Sequence, residues 1–267
     1  MARRATFIQQ EREAAEGPLL VLDAGNALFG YWPSVESEGT IMVEAMNAMG
    51  YDAMALGAYD LYLGLEILTR RMEEAAFPML SANLKGPDGE LVAPSHLVIE
   101  RDGVTVGIIG LTEPDVMELQ GVKELIEVED PATAARPLVD ALRDEVDILL
   151  VLSHLGLDAD LALAKVIEGI DIIIGGNTRR LMQVPQRVGD TVIVQQGYAG
   201  EWIGRLRVTY DAKWKIIGAT ESLVTLDESF ADDPKLSSMR DAWAERWPSP
   251  TPEPSPTPTP LPTQAGG

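Results

Sequence analysis

Cysteine is absent from the 267 residues, and histidine occurs only twice. Without a thiol the chain forms no disulfide, holds no thiolate-bound metal, attaches no haem covalently and supplies no cysteine nucleophile. Basic residues are scarce too: 21 Lys and Arg stand against 42 Asp and Glu, a formal net charge of −21. Nucleic acid and anionic lipid are bound by basic surface that releases counterions, so this balance argues against both as partners. The acidity is read as a solvated exterior. No apolar run reaches the roughly 18 residues of a membrane span, so no membrane insertion is expected. The opening "MARRATFIQQ" has two arginines with no apolar segment behind them, which is not the pattern of a secretory signal.

What is present is the material of a soluble core, since 46% of the residues are apolar. Two regions follow from composition. Residues 1–247 form one folded domain. Residues 248–267, "PSPTPEPSPTPTPLPTQAGG", hold eight of the chain's 18 prolines. Proline on alternate positions forbids a helix and favours an extended spacer, so this segment is read as a disordered or semi-rigid linker, a stalk, or a terminus without function.

Within the domain, strands and helices alternate. "PLLVLDAG" is a short buried strand over Leu19–Leu22. "EGTIMVEAMNAMG" carries a 3.6-residue apolar stripe stopped by Gly50, a helix with a glycine C-cap. "YDAMAL" is a strand, "GLEILTRRMEEA" a helix and "FPMLSANL" a short strand. "HLVIERDGVTVGIIGLTEP" is a hairpin turning at Asp102-Gly103. "DPATAARPLVDALRDE" is a helix capped by Asp130 with Pro131 at its first position. "VDILLVLSHLG" and "IDIIIGGNTRR" are strands running into polar loops, separated by the helix "DLALAKVIEG". The strands "TVIVQQG", "WIGRLRVTYD" and "KWKIIGATESLVTL" and a helix over about 232–246 complete the domain. Strand–helix units followed by an antiparallel run suggest two packed sheets with helices outside.

Ligands in α/β folds bind beyond the C-terminal strand ends. Four loops there pair glycine with polar side chains: 23–30 "DAGNALFG", 56–64 "LGAYDLYLG", 152–156 "LSHLG" and 175–180 "GGNTRR". Their order and spacing resemble the N-terminal domain of 5′-nucleotidases, within the calcineurin-like metallophosphoesterases. "ARRATFIQQER", "SANL", "VGIIGLTEP" and "QQGYAGEWIGRLRVTYD" are similar to the family as well, and the likeness covers nearly all of residues 2–226. The resemblance implies an α/β fold: a four-layer α/β/β/α sandwich of two packed mixed sheets.

It also implies a site with two divalent metals bridged by a carboxylate, which activate water and clamp a phosphate. The family pattern is altered at most ligand positions here. Gly-Asp is Gly25-Asn26, Asn-His-Glu/Asp is Ala58-Tyr59-Asp60, and Gly-His-x-His is Gly176-Asn177-Thr178-Arg179. Tyr59 stands at the position of the catalytic histidine, and only His154 matches a ligand imidazole. The vestigial metal set is therefore Asn26, Asp60, His154 and Asn177. His96 belongs to a strand start and is read as surface or hairpin packing. Arg179 and Arg180 are candidate anion-binding residues. Arg179 has three readings: pairing with Asp60 or Asp23 in place of the lost cations, binding a phosphate or carboxylate through its fork of donors, or standing as a plain surface arginine. Tyr59, Tyr62 and Tyr31-Trp32 line an aromatic pocket, or are interior or interface side chains.

The family's first strand, with its Asp-x-His, has no counterpart after Met1. Either the reading frame begins late or the strand is missing, in which case Leu19–Leu22 are left partly unpaired. The expectation is a degenerate metallophosphoesterase-like domain, inactive or impaired, retained as an anion- or ligand-binding or scaffolding module. The alternative is an active phosphoesterase or nucleotidase with a reduced site. No cofactor is expected, or Mn, Zn, Mg or Ca if the chain is active. The implied partners are a phosphate- or carboxylate-bearing small molecule, a protein partner or an adjacent module. The family resemblance implies an exported, periplasmic or cell-surface, protein.

Overall fold

The hairpin at Asp102-Gly103 forms because both turn residues accept positive φ, 52° and 80°. It joins β5 (His96–Arg101) to β6 (Val104–Leu111). The structure, a computed structural model, describes residues 1–248 apart from 115, 117–120, 123 and 199. The linker expected over 248–267 therefore lies outside the described residues, save Pro248.

Four further strands extend this hairpin into a six-stranded sheet: β8 (Ile148–Ser153), β9 (Ile172–Gly175), β10 (Gln186–Val188) and β11 (Thr191–Gln195), in the order β10-β11-β9-β8-β6-β5. β6, β8, β9 and β11 run parallel, with antiparallel edges. The run "TVIVQQG" is thus a parallel strand beside β9, whereas the sequence suggested an antiparallel series; its preceding turn at Gly189 makes a hairpin that the apolar pattern alone does not orient.

A second sheet is smaller: β1 (Leu22–Asp23), β2 (Ala53–Ala55) and β3 (Met79–Leu80), all parallel. Two minor strands, β4 (Leu84–Lys85) and β7 (Glu127–Val128), pair with each other. β12 (Trp202–Tyr210) and β13 (Ile216–Thr225) form a separate antiparallel ribbon. Only Leu22 of the expected Leu19–Leu22 strand is in the ladder. Among the described residues β1 bonds to β2 alone.

The alternation of side chains along the strands makes the layers. Ile108, Ile148, Leu150 and Leu152 point toward Ala53, Ala55 and Leu80 of the small sheet. Their neighbours Ile109, Leu149 and Val151 point away, toward α5 (Pro131–Leu142) and α6 (Leu157–Val166). On the small sheet, Met54 and Met79 face α1 (Ala2–Ala14), α3 (Thr40–Met49) and α4 (Leu65–Glu74). Helix, sheet, sheet, helix: the four-layer sandwich expected from the sequence is present. Complete burial of each such aliphatic side chain is worth about 1.5–3 kcal/mol.

The sheets approach closely at Gly110, where a Cβ would run into the backbone and side chain of Leu80. Asp130 caps α5 as expected, accepting from Thr133 N at 2.8 Å, and Gly50 closes α3 at φ 67°. A short helix α2 (Trp32–Glu36) and α7 (Pro234–Arg246) complete the chain; α7 falls within the helix expected over 232–246.

A candidate site rebuilt around one histidine

Four parallel strands end at the same place. β1 runs into the loop after Asp23, β2 into a 3-10 turn over Ala58–Leu61, β8 into His154 and β9 into Gly176. The sequence-predicted residues Asn26, Tyr59, Asp60, His154 and Asn177 all lie on these loops, and His154 is their centre. A Cβ on Gly25 or Gly176 would stand 2.8 or 2.7 Å from its Nδ1, and one on Gly57 would stand 2.8 Å from its Cδ2. Three glycines are therefore required for the imidazole to sit where it does.

His154 is buried, and its Nδ1 lies 2.6 Å from the carbonyl oxygen of Ala24. This fixes Nδ1 as the donor and leaves Nε2 as an unprotonated lone pair. Nε2 has no hydrogen-bond partner and is 3.8 Å from Glu113 Oε1. Burial pulls the imidazole pKa down, with the Ala24 contact opposing. Burial thus favours the neutral ring.

Asp60 is spent on the backbone. Its Oδ2 accepts from Asn26 N at 2.7 Å and Gly57 N at 2.9 Å, and its Oδ1 accepts from Leu28 N at 2.9 Å. It ties the first loop to the second. Burial pushes its pKa up to about 7 against the pull of these three donors. Asn26, at φ 59°, uses its Oδ1 to accept from Tyr59 N at 2.8 Å. The Tyr59 ring is exposed, pointing out from the loops. Asn177 has φ 65° and its amide nitrogen lies beside Gly156. Thr178 next to it holds Leu157 N and Gln195 Oε1, at 3.1 and 2.8 Å.

Arg179 and Arg180 are exposed, and Arg180 N donates to Gln195 Oε1 at 2.9 Å beside Thr178. Arg179 lies over the ring of Tyr198, 4.3 Å from its centroid, a cation–π contact. Among the described residues neither arginine makes an ion pair. The cation whose field reaches Asp23 is instead Arg4, which also donates to the Tyr51 hydroxyl at 3.3 Å and to the Gly200 carbonyl at 3.4 Å. Burial raises the Asp23 pKa, and Arg4 opposes it. His96 sits at the start of β5 with its Nδ1 against Ser95 Oγ at 2.8 Å, in the hairpin as expected.

Sequence reading missed Glu113. It is buried where β6 ends, and its Oε1 accepts from Ala58 N at 2.9 Å, so it braces the second loop beside His154. The signal was available: an acidic residue two positions beyond a largely apolar strand. Arg4 was missed as well, because nothing in "ARRATFIQQER" marks one arginine for the interior.

A dinuclear metal centre does not fit these side chains. Asp60's two oxygens and Asn26's one are occupied by backbone N–H groups, one nitrogen of His154 is committed to a carbonyl, and Tyr59 faces outward. Among the described residues no three His, Asp or Glu are grouped so as to hold a metal. Among the described residues His154 Nε2 has no hydrogen-bond partner.

The comparisons bear on this architecture. No family model matches the chain. The 5′-nucleotidase of Bos taurus is 33% identical over 270 residues, covering 91% of this chain and 46% of that protein. The solved 5′-nucleotidase precursor of Thermus thermophilus superposes with a TM-score of 0.85 at 28% identity, over 92% of this chain and 53% of that one. Over nine-tenths of its length the chain is similar in sequence to proteins named 5′-nucleotidase. The calcineurin-like phosphoesterase YfkN from Bacillus subtilis shares the fold, with a TM-score of 0.76 at 22% identity over 92% of this chain and 88% of that structure. This 5′-nucleotidase-like chain spans about half the length of the cattle and Thermus proteins. No helix among its described residues is long and apolar enough to cross a membrane.

Proposed function

We propose that this domain has given up two-metal phosphoester hydrolysis and is retained as a ligand-binding or scaffolding module. The observation that carries the reading is the fate of the lone pairs. In a hydrolytic centre, carboxylate, amide and imidazole atoms converge on cations. Here Asp60 and Asn26 converge on four backbone N–H groups. The loops are held in their places by hydrogen bonds that do the locating a metal pair would otherwise do. The exposed Arg179 and Arg180 then serve as the anion-binding feature, with a phosphate or carboxylate as the class of ligand they match. We place the protein outside the cytoplasm, in keeping with its acidity, its lack of cysteine and its Pro/Thr-rich end.

The test is metal analysis joined to activity. The purified chain, incubated with Mn²⁺ and desalted, should retain well under one equivalent of Mn, Zn, Fe or Ca, and should hydrolyse neither AMP nor a generic phosphodiester. Stoichiometric metal, with turnover abolished in His154→Ala, would establish the competing reading, a working phosphoesterase with a reduced site.

A further inference from the structure

The loop that carries Arg179 and Arg180 is held from within by a buried amide. Gln195, at the end of β11, accepts at its Oε1 from Thr178 Oγ1 at 2.8 Å and from Arg180 N at 2.9 Å, and its Nε2 donates to the carbonyl of Gly176. A backbone N–H donates and does not accept, so the Arg180 amide fixes which end of the Gln195 side chain is oxygen. Thr178 Oγ1 in turn accepts from Leu157 N at 3.1 Å, at the start of α6. The loop needs this latch. Asn177 and Arg179 both stand at positive φ, 65° and 58°, and backbone of that kind persists only where its surroundings hold it.

Asp160 of α6 borders the same amide. It is fully buried; Ser153 Oγ donates to its Oδ1, and its Oδ2 has no partner among the described residues. A Cβ on Gly175 would run into that Oδ2 and lie 3.4 Å from Gln195 Nε2, so the two atoms flank the space that the glycine leaves empty. From β8, β9 and β11, Asp160 thus meets three uncharged groups: Ser153, Gly175 and Gln195. His154, next to Ser153, is committed to Ala24 O. The charged side chains of the elements packed around α6 are exposed or engaged. Asp158 and Lys165 of α6, Asp140 of α5 and Arg187 of β10 are exposed, while Arg136 and Arg143 of α5 hold Val166 O and Asp171. Burial pushes the Asp160 pKa up to about 7, with the Ser153 bond opposing.

We propose that anion binding by this loop is linked to a proton on Asp160: the neutral acid leaves Gln195 latched to Gly176, and the carboxylate draws Gln195 Nε2 to itself and frees the loop. The proposal rests on the reading of Arg179 and Arg180 as anion-binding residues. The switch is an exchange of acceptors. A buried charged oxygen without a donor is costly, and the Gln195 amide is the donor that shares its space. A charged acceptor makes a hydrogen bond roughly twice as strong as a neutral one, so the ionised Asp160 takes the amide from the Gly176 carbonyl. That turn also withdraws Oε1 from Thr178 and Arg180, and the arginines lose their fixed presentation. By reciprocity, a bound anion raises the proton affinity of Asp160.

The probe is sulfate, whose own charge does not change across the neutral range. Calorimetric titration of the full chain should show sulfate affinity falling at least about fivefold between about pH 5.5 and about pH 8.5. At about pH 7.5 binding should take up protons, read as a heat that varies with the ionisation enthalpy of the buffer. Asp160→Asn keeps the shape without the charge and should hold the acid-side affinity at both pH values, with the uptake lost. Gln195→Met removes the latch and leaves Asp160, so it should bind weakly at both pH values and lose the pH dependence. A flat wild-type profile without proton uptake, in a chain whose sulfate binding is lost in Arg179→Ala, overturns the linkage and leaves the arginine reading standing. No sulfate binding at any pH overturns both. A fall that survives in Asp160→Asn assigns the proton to Asp60 or Glu221, each also pushed up to about 7, and overturns the proposal. So does a fall that survives in Gln195→Met, since the route through the amide would then be wrong.

Discussion

Two buried carboxyls, Asp60 and Asp160, are each pushed up to about 7 by burial, yet they are different objects. Asp60 faces three backbone donors, and removing it strands all three. Asp60→Ala should cost about 3 kcal/mol or more, since each unsatisfied buried donor costs roughly 1–3 kcal/mol. Urea denaturation would measure it, and a loss below about 1 kcal/mol would mean that water replaces the carboxylate. Asp160 accepts one hydrogen bond, from Ser153 Oγ, and its Oδ2 has no partner. Its proton is held more tightly in the folded than in the unfolded chain. Native stability therefore falls as pH rises from about 4 to about 7 and stays low above that. Asp160→Asn keeps the shape without the charge: it should raise Tm at about pH 8.5 and leave it nearly unchanged at about pH 4.5. A lower Tm at the higher pH would show that the carboxylate is stabilising. Sequence alone could not separate these two residues. Asp60 finds two of its three partners 32 and 34 positions away, and all three are main-chain groups that no pattern of side chains announces. His154 was legible through its resemblance, as the one imidazole in "SHLG" that matches a ligand position of the family pattern.

At the scale of elements, what could be read and what could not divide along a physical line. α5 and the β5–β6 hairpin carry their own punctuation, Asp130-Pro131 and Asp102-Gly103, and both formed as expected. α1 has no such stripe. It buries Ala2, Ala5, Phe7 and Ile8, but polar residues surround them, so its periodicity is faint. α2 is five residues long with a proline inside its first turn, too short for any period to show. The direction of β11 depends on a neighbour that it meets only in the folded sheet. The meeting of the two sheets was equally invisible. Gly110 in β6 reads as one more small residue in "VGIIGL", yet it is where Leu80 of the other sheet passes. Gly110→Val should destabilise by about 1–3 kcal/mol through overpacking, or more if the sheets cannot part. Thermal denaturation is the measurement, and an unchanged Tm would mean that the inter-sheet gap is wider than the backbone positions imply.

For the whole molecule, charge and burial act in the same direction. The chain carries −21, and self-repulsion of that size loosens a compact state. Glu221, like Asp160, is pushed up to about 7 by burial, here with Gln196 opposing. Lowering the pH from about 8 toward about 5 should therefore raise Tm twice over, by relieving repulsion and by protonating groups that the interior prefers neutral. Added salt at about pH 8 should recover only the repulsive part, because screening acts on the exterior and leaves the desolvated carboxyls as they were. If salt alone reproduced the whole gain from acidification, the buried carboxyls would not be contributing.

The open flank of β1 has a consequence for assembly. Among the described residues this two-residue strand is bonded on one side alone, and Leu20 and Leu22 beside it are only partly covered. A flank of that kind is a template for any extended stretch that can reach it. On storage or concentration the first association between molecules should begin there, as added strands, and a proline or lysine introduced at Leu20 should delay it.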